Sequence, residues 1–330
     1  MQYPKSDEMD YKLPPRKRFA TSRGYEYSFI QIPSKIQKRI LFLLHGWPSH
    51  IDDWIYQIRY FETKGYGLVV PDLLGYGDSS KPLDPGEYRL HLISQDLSEL
   101  LDYVGLEKVV GVGHDWGATI LSRFVAYHPN RLSGVAFLGI GPPSLGTPFD
   151  LDMANEMTKK ALGMEMFGYI EYITRDSTAQ QMMEKNAEAV MDVMFAADEK
   201  TWNKHFHPSG GLKDFVENNQ RQEVASWFSR ELQESHLEAF GRDEGHGGAS
   251  NYYVMMARNL SIPDEQKCSN FKIPHPTIAV LPREPVSTRE MQKQMLSAWA
   301  PNLNVITVDA GHWVHMEMAE ETNVAIESLL

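Results

Sequence analysis

Residues 111–119, GVGHDWGAT, carry an acid where a strand would turn into a helix. The apolar run before this segment predicts a strand, and the residues 116–129 that follow predict a helix. A sharp turn between them would expose Asp115 at the carboxyl end of the strand, where α/β sheets hold their functional sites. Gly113 and Gly117 give this turn small flanking residues, and the helix N-terminus would favour an ionised carboxylate. Asp115 is therefore a candidate nucleophile, with a simple helix N-cap as the alternative.

A second turn predicts a site for negative charge beside Asp115. The segment LLHGWP (43–48) closes an earlier apolar run. The backbone N–H of Trp47 in this loop, and that of Trp116 after the nucleophile, would together form an oxyanion hole. An ordinary strand-ending turn is the other interpretation. The two turns add supporting motif residues, namely His45, Gly46, Pro48, Gly113, His114 and Gly117.

A histidine follows the last predicted strand. The segment DAGHWVH (309–315) places His312 in a loop at the end of the sheet. The chain order nucleophile, acid, histidine is that of hydrolases built on such a sheet, which makes His312 the candidate base rather than a structural histidine. His315 suggests a metal pair with it, but no helix or carboxylate ligand supports one. We therefore expect no metal at this site.

The acid that orients the histidine should follow the strand 276–281. The loop there reads LPREPVS, and Glu284 is its only acid. A carboxylate in this place could orient His312 and stabilise its charged form. The alternative is a surface glutamate. The segment 138–141, at the end of another predicted strand, offers only glycine and apolar residues, followed by proline.

The elements that would position these residues alternate between strand and helix, which predicts an α/β fold with a mostly parallel sheet and helices on both faces. The predicted strands are 39–46, 68–72, 108–115, 132–141, 276–281 and 304–311. The predicted helices between and after them are 53–67, 90–105, 116–129, 288–300 and 319–330.

The middle of the chain has a different pattern. Residues 143–265 contain helical segments and little strand signal, which predicts a helical cap inserted between two parts of one core, 1–142 and 266–330. The helical segments of the insertion are 149–162, 168–175, 179–196, 223–235 and 251–260.

Composition limits the possible partners and location. The chain has 330 residues, 42% of them hydrophobic and 23% charged, with a formal charge of −12. This charge argues against nucleic acid or an anionic membrane as partner. Cys268 is the single cysteine, and we find no secretory signal or apolar run of membrane-spanning length. We expect a cytoplasmic, soluble protein, a monomer with a homodimer as alternative.

Together these segments resemble the epoxide hydrolase family of the α/β-hydrolase fold. The resemblance rests on HGWP (45–48), PDLLGYGDSSKP (71–82), GHDWGA (113–118), GHW (311–313) and the helical cap, and it covers nearly the whole chain. It implies a hydrophobic epoxide and water as reactants, with no metal or organic cofactor. The family's acid position usually holds aspartate, and this chain departs from that pattern with Glu284.

The resemblance also implies two cap tyrosines that bind the epoxide oxygen. Tyr169 in MFGYIEYI and Tyr253 in ASNYYVMMARN match these positions, with Tyr172 and Tyr252 as fallback candidates. A phenol with a pKa of about 10 is a suitable acid for a developing alkoxide. Packing within an apolar cap is the alternative role for these tyrosines.

The resemblance indicates which kind of atom an aspartate at such a turn would attack. A carboxylate is a competent nucleophile toward an activated sp³ carbon, and the resulting ester can be hydrolysed. A dehalogenase is the nearest alternative, because Trp47 and Trp116 could bind a halide. Haloacetate dehalogenases carry arginine where Trp116 stands. A non-catalytic small-molecule receptor on the same scaffold is the alternative from another class.

Overall fold

The computed structural model describes residues 11–35, 38–198, 200–268, 270–283 and 286–330. Its centre is an eight-stranded sheet in the order β1-β2-β4-β3-β5-β6-β7-β8. The strands are β1 (Lys17–Ala20), β2 (Glu26–Ile32), β3 (Ile40–Leu44), β4 (Gly67–Pro71), β5 (Val109–His114), β6 (Leu132–Leu138), β7 (Thr277–Pro282) and β8 (Leu303–Val308).

Helices lie between these strands from β3 onward and after the last one. Those of the core are α1 (Ile55–Thr63), α2 (Leu90–Tyr103), α3 (Trp116–Tyr127), α13 (Val286–Ser297), α14 (Val314–Glu317) and α15 (Ala319–Glu327). Those between β6 and β7 are α4 (Leu151–Leu162), α5 (Gly168–Arg175), α6 (Ala179–Lys185), α7 (Ala187–Met194), α8 (Thr201–His205), α9 (Gly211–Glu217), α10 (Arg230–Phe240), α11 (Gly247–Ala257) and α12 (Ile262–Glu265). No helix in the described ranges is long and apolar enough to cross a membrane.

The strands from β3 to β8 pair in parallel, as the alternating sequence pattern predicts. Strands β4 and β5 are buried at every residue, because helices cover both faces of the sheet and leave apolar runs without a solvent side. In the β3–β5 register, Leu44 pairs with Gly113. The loops that leave these two strands therefore lie side by side at one edge of the sheet.

The antiparallel edge of the sheet is absent from our sequence prediction. Strand β1 pairs with β2, and β2 pairs with β4, both antiparallel. A short turn joins β1 to β2, with Gly24 N–H donating to Thr21 O at 2.9 Å. The sequence pattern of this edge was weak because β1 is four residues long and mostly exposed, so it has no apolar run.

Two predicted helices in the insertion differ from the structure. Segment 179–196 is two helices, because Asn186 leaves helical geometry and its side-chain amide donates to Val216 O at 2.9 Å. The helix predicted over 223–235 begins only at Arg230. Ser229 is extended there, and its side chain accepts a hydrogen bond from Leu232 N–H, so it caps the helix.

The insertion is fastened to the core at several buried points. Tyr252 Oη donates to Leu74 O at 2.9 Å, and Trp313 Nε1 donates to Met194 O at 3.0 Å. Near the end of the insertion, Arg123 binds Glu265 through two hydrogen bonds of 3.0 and 2.9 Å. These contacts attach α7, α11 and α12 to the sheet and its flanking loops and helices.

Candidate active site

Asp115 lies at the junction of β5 and α3 with a backbone that few residues adopt. Its φ is 52° and its ψ is −120°, which is strained for a residue with a Cβ. Helix α3 approaches β3 so closely that a Cβ on Gly117 would lie 1.9 Å from Leu44 O. The small flanking residue predicted from the sequence thus permits the turn that exposes the Asp115 carboxylate.

The loop after β3 supplies hydrogen-bond donors to this carboxylate. Trp47 N–H donates to Asp115 Oδ1 at 2.9 Å, and Trp116 N–H also binds the carboxylate. Burial raises the pKa of Asp115 from 3.8 to about 6, and the two backbone donors limit the rise. The carboxylate therefore remains mostly ionised at neutral pH.

His45 holds the donor loop in place. Its Nδ1–H donates to Gly46 O at 3.0 Å, and its Nε2 accepts from Leu73 N–H at 3.0 Å. Burial lowers the pKa of His45 to about 4, which keeps the imidazole neutral and able to make both bonds. Pro48 follows Trp47 through a cis peptide bond.

His312 reaches the same carboxylate from the loop after β8. Its Nε2 is 3.5 Å from Asp115 Oδ2, and both side chains are about one-sixth exposed, at 16% and 17%. His114 Nε2 lies 3.0 Å from His312 O and donates to it. The loop crosses Gly139, where a Cβ would lie 2.7 Å from His312 O and the φ is 74°. Glycine therefore allows His312 to pass over β6.

His312 is neutral at pH 7. Burial lowers its pKa to about 3, and the neighbouring His315 and His207 act in the same direction. The acid predicted to orient it, Glu284, lies outside the described residues. A nearby acid, Asp309, is 79% exposed and pairs with Arg283 at 3.4 Å, which does not support it in that role.

Two tyrosines from the insertion face the carboxylate. Tyr169 in α5 and Tyr253 in α11 have perpendicular rings with centroids 5.6 Å apart, and their hydroxyls are hydrogen-bonded. The Trp116 indole binds the Tyr253 hydroxyl. Burial raises the pKa of both tyrosines, and the negative charge of Asp115 raises it further. Both phenols are therefore protonated.

The fallback tyrosines lie elsewhere. The Tyr252 hydroxyl is engaged by Leu74 O, on the core side of α11. Tyr172 is buried, and its pKa is raised by burial and then by the charge of Glu217. The structure thus brings Tyr169 and Tyr253, rather than Tyr172 or Tyr252, together with Asp115.

Aromatic rings complete the walls of this site, and the sequence analysis did not predict Phe206 among them. Phe206 stacks on Tyr169 with centroids 4.1 Å apart, and Trp47 stacks at 6.4 Å from the same ring. The Trp202 ring lies 5.3 Å from His312. Trp202 lies in the five-residue helix α8, and Phe206 directly follows it. A segment this short has too little periodicity to predict which way its side chains face. Only their proximity along the chain could have signalled a shared face.

Comparison with known proteins agrees with this fold. Residues 39–319 match the family described as alpha/beta hydrolase fold, and the chain belongs to that family. The chain is 27% identical over 290 residues to "Bifunctional epoxide hydrolase 2" of Mus musculus, covering 86% of this chain and 50% of that protein. It is 28% identical over 300 residues to "Epoxide hydrolase A" of Mycobacterium tuberculosis, covering 88% and 90%.

The chain spans about half the length of the mammalian relatives it matches. Among solved structures, Epoxide Hydrolase A from Mycobacterium thermoresistibile superimposes with a TM-score of 0.78 at 24% identity, over 96% of this chain and 98% of that one. A Vigna radiata epoxide hydrolase mutant gives 0.76 at 22% identity, over the same shares of the two chains. At this identity the likeness establishes the fold.

Proposed function

We propose that this protein is an epoxide hydrolase that converts a hydrophobic epoxide to a vicinal diol through an ester on Asp115. One observation carries the proposal: an ionised carboxylate in the core faces two protonated phenols from the cap. Epoxide opening needs a nucleophile on carbon and a proton donor on oxygen at the same time. The names of the relatives support the same substrate class.

In the first proposed step, Asp115 Oδ2 attacks a ring carbon of the epoxide. The ring C–O bond breaks and its electron pair goes to the oxygen. This oxygen takes a proton from the hydroxyl of Tyr169 or Tyr253, which becomes a tyrosinate. Oδ1, bound by Trp47 N–H at 2.9 Å, becomes the carbonyl oxygen of the ester. The product is an alkyl-enzyme ester, and no metal or organic cofactor is required.

In the second step, His312 removes a proton from water, and the oxygen attacks the ester carbonyl carbon of Asp115. The Trp47 and Trp116 N–H groups stabilise the oxyanion that forms. Cleavage of the C–O bond to the substrate releases the diol, whose oxygen takes the proton from His312. The second proton of the water, now on the Asp115 carboxyl, returns to the tyrosinate, which restores the carboxylate and the neutral phenol. A pKa of about 3 would make isolated His312 a weak base. We propose that Glu284 supplies the charge that strengthens it.

One observation favours a dehalogenase as the second candidate. The buried Trp47 Nε1 has no hydrogen-bond partner among the described residues, so it could donate to a halide leaving group. The Trp116 indole, however, is engaged by the Tyr253 hydroxyl. A halide site with two indole donors would require that contact to break, whereas an epoxide uses the tyrosines as they stand.

The test is to trap the ester. His312→Gln should still form the ester but fail to hydrolyse it, so incubation with styrene oxide should add the substrate mass to the Asp115 peptide. Asp115→Asn, a matched control of nearly the same shape, should show no adduct. A 1-haloalkane in place of styrene oxide tests the second candidate. If His312→Gln forms no adduct with either compound, the result would contradict the ester mechanism and favour a non-catalytic receptor.

The division of the chain belongs to the same proposal. Residues 143–265 would form the cap that delivers the tyrosines, and residues 1–142 with 266–330 would form the core that delivers the nucleophile and base. Small hydrophobic epoxides and water would be the partners. The cytoplasmic location and the monomeric state stay predictions from the sequence.

A further inference from the structure

Three buried side chains meet where helix α10 of the insertion packs on the core. His50 and Asp53 lie in and beside the 3₁₀ turn 51–54, and His236 lies in α10; their exposures are 1%, 0% and 3%. His236 Nε2 is 3.0 Å from each Asp53 oxygen, and the His50 and His236 ring centroids are 4.8 Å apart. One ligand atom from each residue lies within 4.8 Å of the others.

One nitrogen of this cluster lacks a hydrogen-bond partner among the described residues. Nε2 of His50 is buried and has no hydrogen-bond partner within the described ranges. Leaving a buried polar nitrogen unsatisfied is costly, so such atoms usually have a bound water, ion or ligand. Asp53 and His236 satisfy one another, but His50 does not share their bond.

The charge around the cluster is also unbalanced. Asp53 and Asp72 are both wholly buried carboxylates, and Asp52 lies beside them with 20% of its side chain exposed. One guanidinium, that of Arg16, pairs with Asp72 at 3.0 Å and with Asp52 at 2.8 Å. No arginine or lysine of the described residues pairs with Asp53, whose ion-pair contact there is with His236. A bound cation would compensate this excess of buried negative charge.

We propose that His50, Asp53 and His236 bind one divalent transition-metal ion of the zinc class, which fastens α10 to the core. Two imidazoles and a carboxylate are donors that zinc accepts at about 2.0–2.2 Å, which sets ligand separations near 3.3 Å. The Asp53–His236 separation of 3.0 Å is close to that value. His50 has to move inward by on the order of 1 Å to complete the set.

The ion has a structural role. The ligands come from a core turn and a cap helix separated by 183 residues, so the ion would join the two parts at a buried point. The three ligands are at most 3% exposed, so the site is closed to solvent, and the binding free energy of the ion would add to folding. The ester chemistry on Asp115 needs no metal, so loss of this ion would affect stability and cap position before chemistry.

The experiment measures bound metal in the full chain purified without a metal-affinity step. We expect about one zinc per chain by mass spectrometry, a lower melting temperature after chelation, and recovery with Zn²⁺. Substitution by Co²⁺ should give visible absorption bands. His50→Phe keeps an aromatic ring but removes the ligand nitrogen, so it should weaken zinc binding by at least about 100-fold. His246→Phe, a buried cap histidine outside the cluster, is the matched control and should bind zinc normally.

Two results would overturn the proposal. Wild-type protein without stoichiometric metal, whose melting temperature does not rise on adding Zn²⁺ or Co²⁺, would mean that Asp53 and His236 contact one another without an ion. Equal zinc affinity in wild type and His50→Phe would mean that the ion binds elsewhere. Because the wild-type measurements decide the first question, the proposal remains testable even where His50→Phe does not fold.

Discussion

Replacing the nucleophile by its amide, Asp115→Asn, should abolish turnover and make the folded protein more stable at neutral pH. Burial raises the pKa of Asp115 from 3.8 to about 6, so folding holds this carboxylate where its charge is disfavoured. The side chain is only 17% exposed, so solvent screens little of this effect. A shift of roughly two units corresponds to about 3 kcal/mol of lost stability when the group is ionised in both states.

The size of this effect depends on pH. An acid with a raised pKa binds more protons in the folded than in the unfolded chain, so stability falls as pH rises from about 4 to about 6. The penalty is complete above that range. Asparagine is neutral throughout, accepts the Trp47 N–H in the same way, and tolerates a positive φ. The stability gain of Asp115→Asn should therefore be about 1 kcal/mol at pH 4.5 and about 3 kcal/mol at pH 7.5.

Urea denaturation of both proteins at the two pH values measures this difference. Asp176→Asn is a control of opposite sign, because Lys213 and Thr178 lower the pKa of Asp176 to about 2. That variant should be less stable than the parent at pH 7.5. If Asp115→Asn is no more stable than the parent at pH 7.5, or gains equally at both pH values, the carboxylate is not held in an unfavourable charged state and the reasoning fails.

The remaining predictions concern the two chemical steps. In His312→Gln, single-turnover ester formation should be half-maximal near pH 6 and fall about tenfold per unit below it; a rate independent of pH between 4.5 and 8 would contradict the nucleophile's pKa. Tyr169→Phe and Tyr253→Phe should each slow ring opening, with the double variant slower by on the order of 10²–10⁴. Tyr172→Phe, at a buried tyrosine that the structure places away from Asp115, should open epoxides at the parental rate. Parental rates in both single variants and the double would remove the tyrosine pair and strengthen the dehalogenase alternative. Glu284→Gln should leave ester formation fast but slow ester hydrolysis, by up to about 10⁴ if it behaves like the orienting acid of a serine protease. Turnover within about twofold of the parent would place the acid elsewhere.

The sequence was informative where local geometry dictates residue type. Asp115 could be predicted because a sharp strand-to-helix turn needs small neighbours such as Gly117. His312 was predicted from the order of the strands, and the structure brings its Nε2 to 3.5 Å from the Asp115 carboxylate. Tyr169 and Tyr253 came from family resemblance, since nothing in helical periodicity distinguishes Tyr253 from Tyr252.

What could not be predicted depends on contacts between distant parts of the chain. The pairing of Asp53 with His236 spans 183 residues, and no spacing rule connects them. Phe206 directly follows the five-residue helix α8, and the packing of this helix brings the Phe206 ring onto Tyr169. Gly139 allows the loop that carries His312 to pass close to the end of β6. In the sequence it was only one of two glycines at the end of a predicted strand.

Burial sets Asp115, His312 and the two tyrosines to the protonation states that the proposed mechanism uses. It keeps His312 neutral above about pH 3, keeps Tyr169 and Tyr253 protonated, and leaves Asp115 ionised only above about pH 6. The lower pH limit of activity should therefore come from Asp115. A cap held less firmly would admit water, move the pKa of Asp115 back toward 3.8, and weaken the phenols' approach to the epoxide oxygen. The contacts that fasten α10 and α11 to the core are thus coupled to the chemistry through solvent exclusion, even where they touch no substrate.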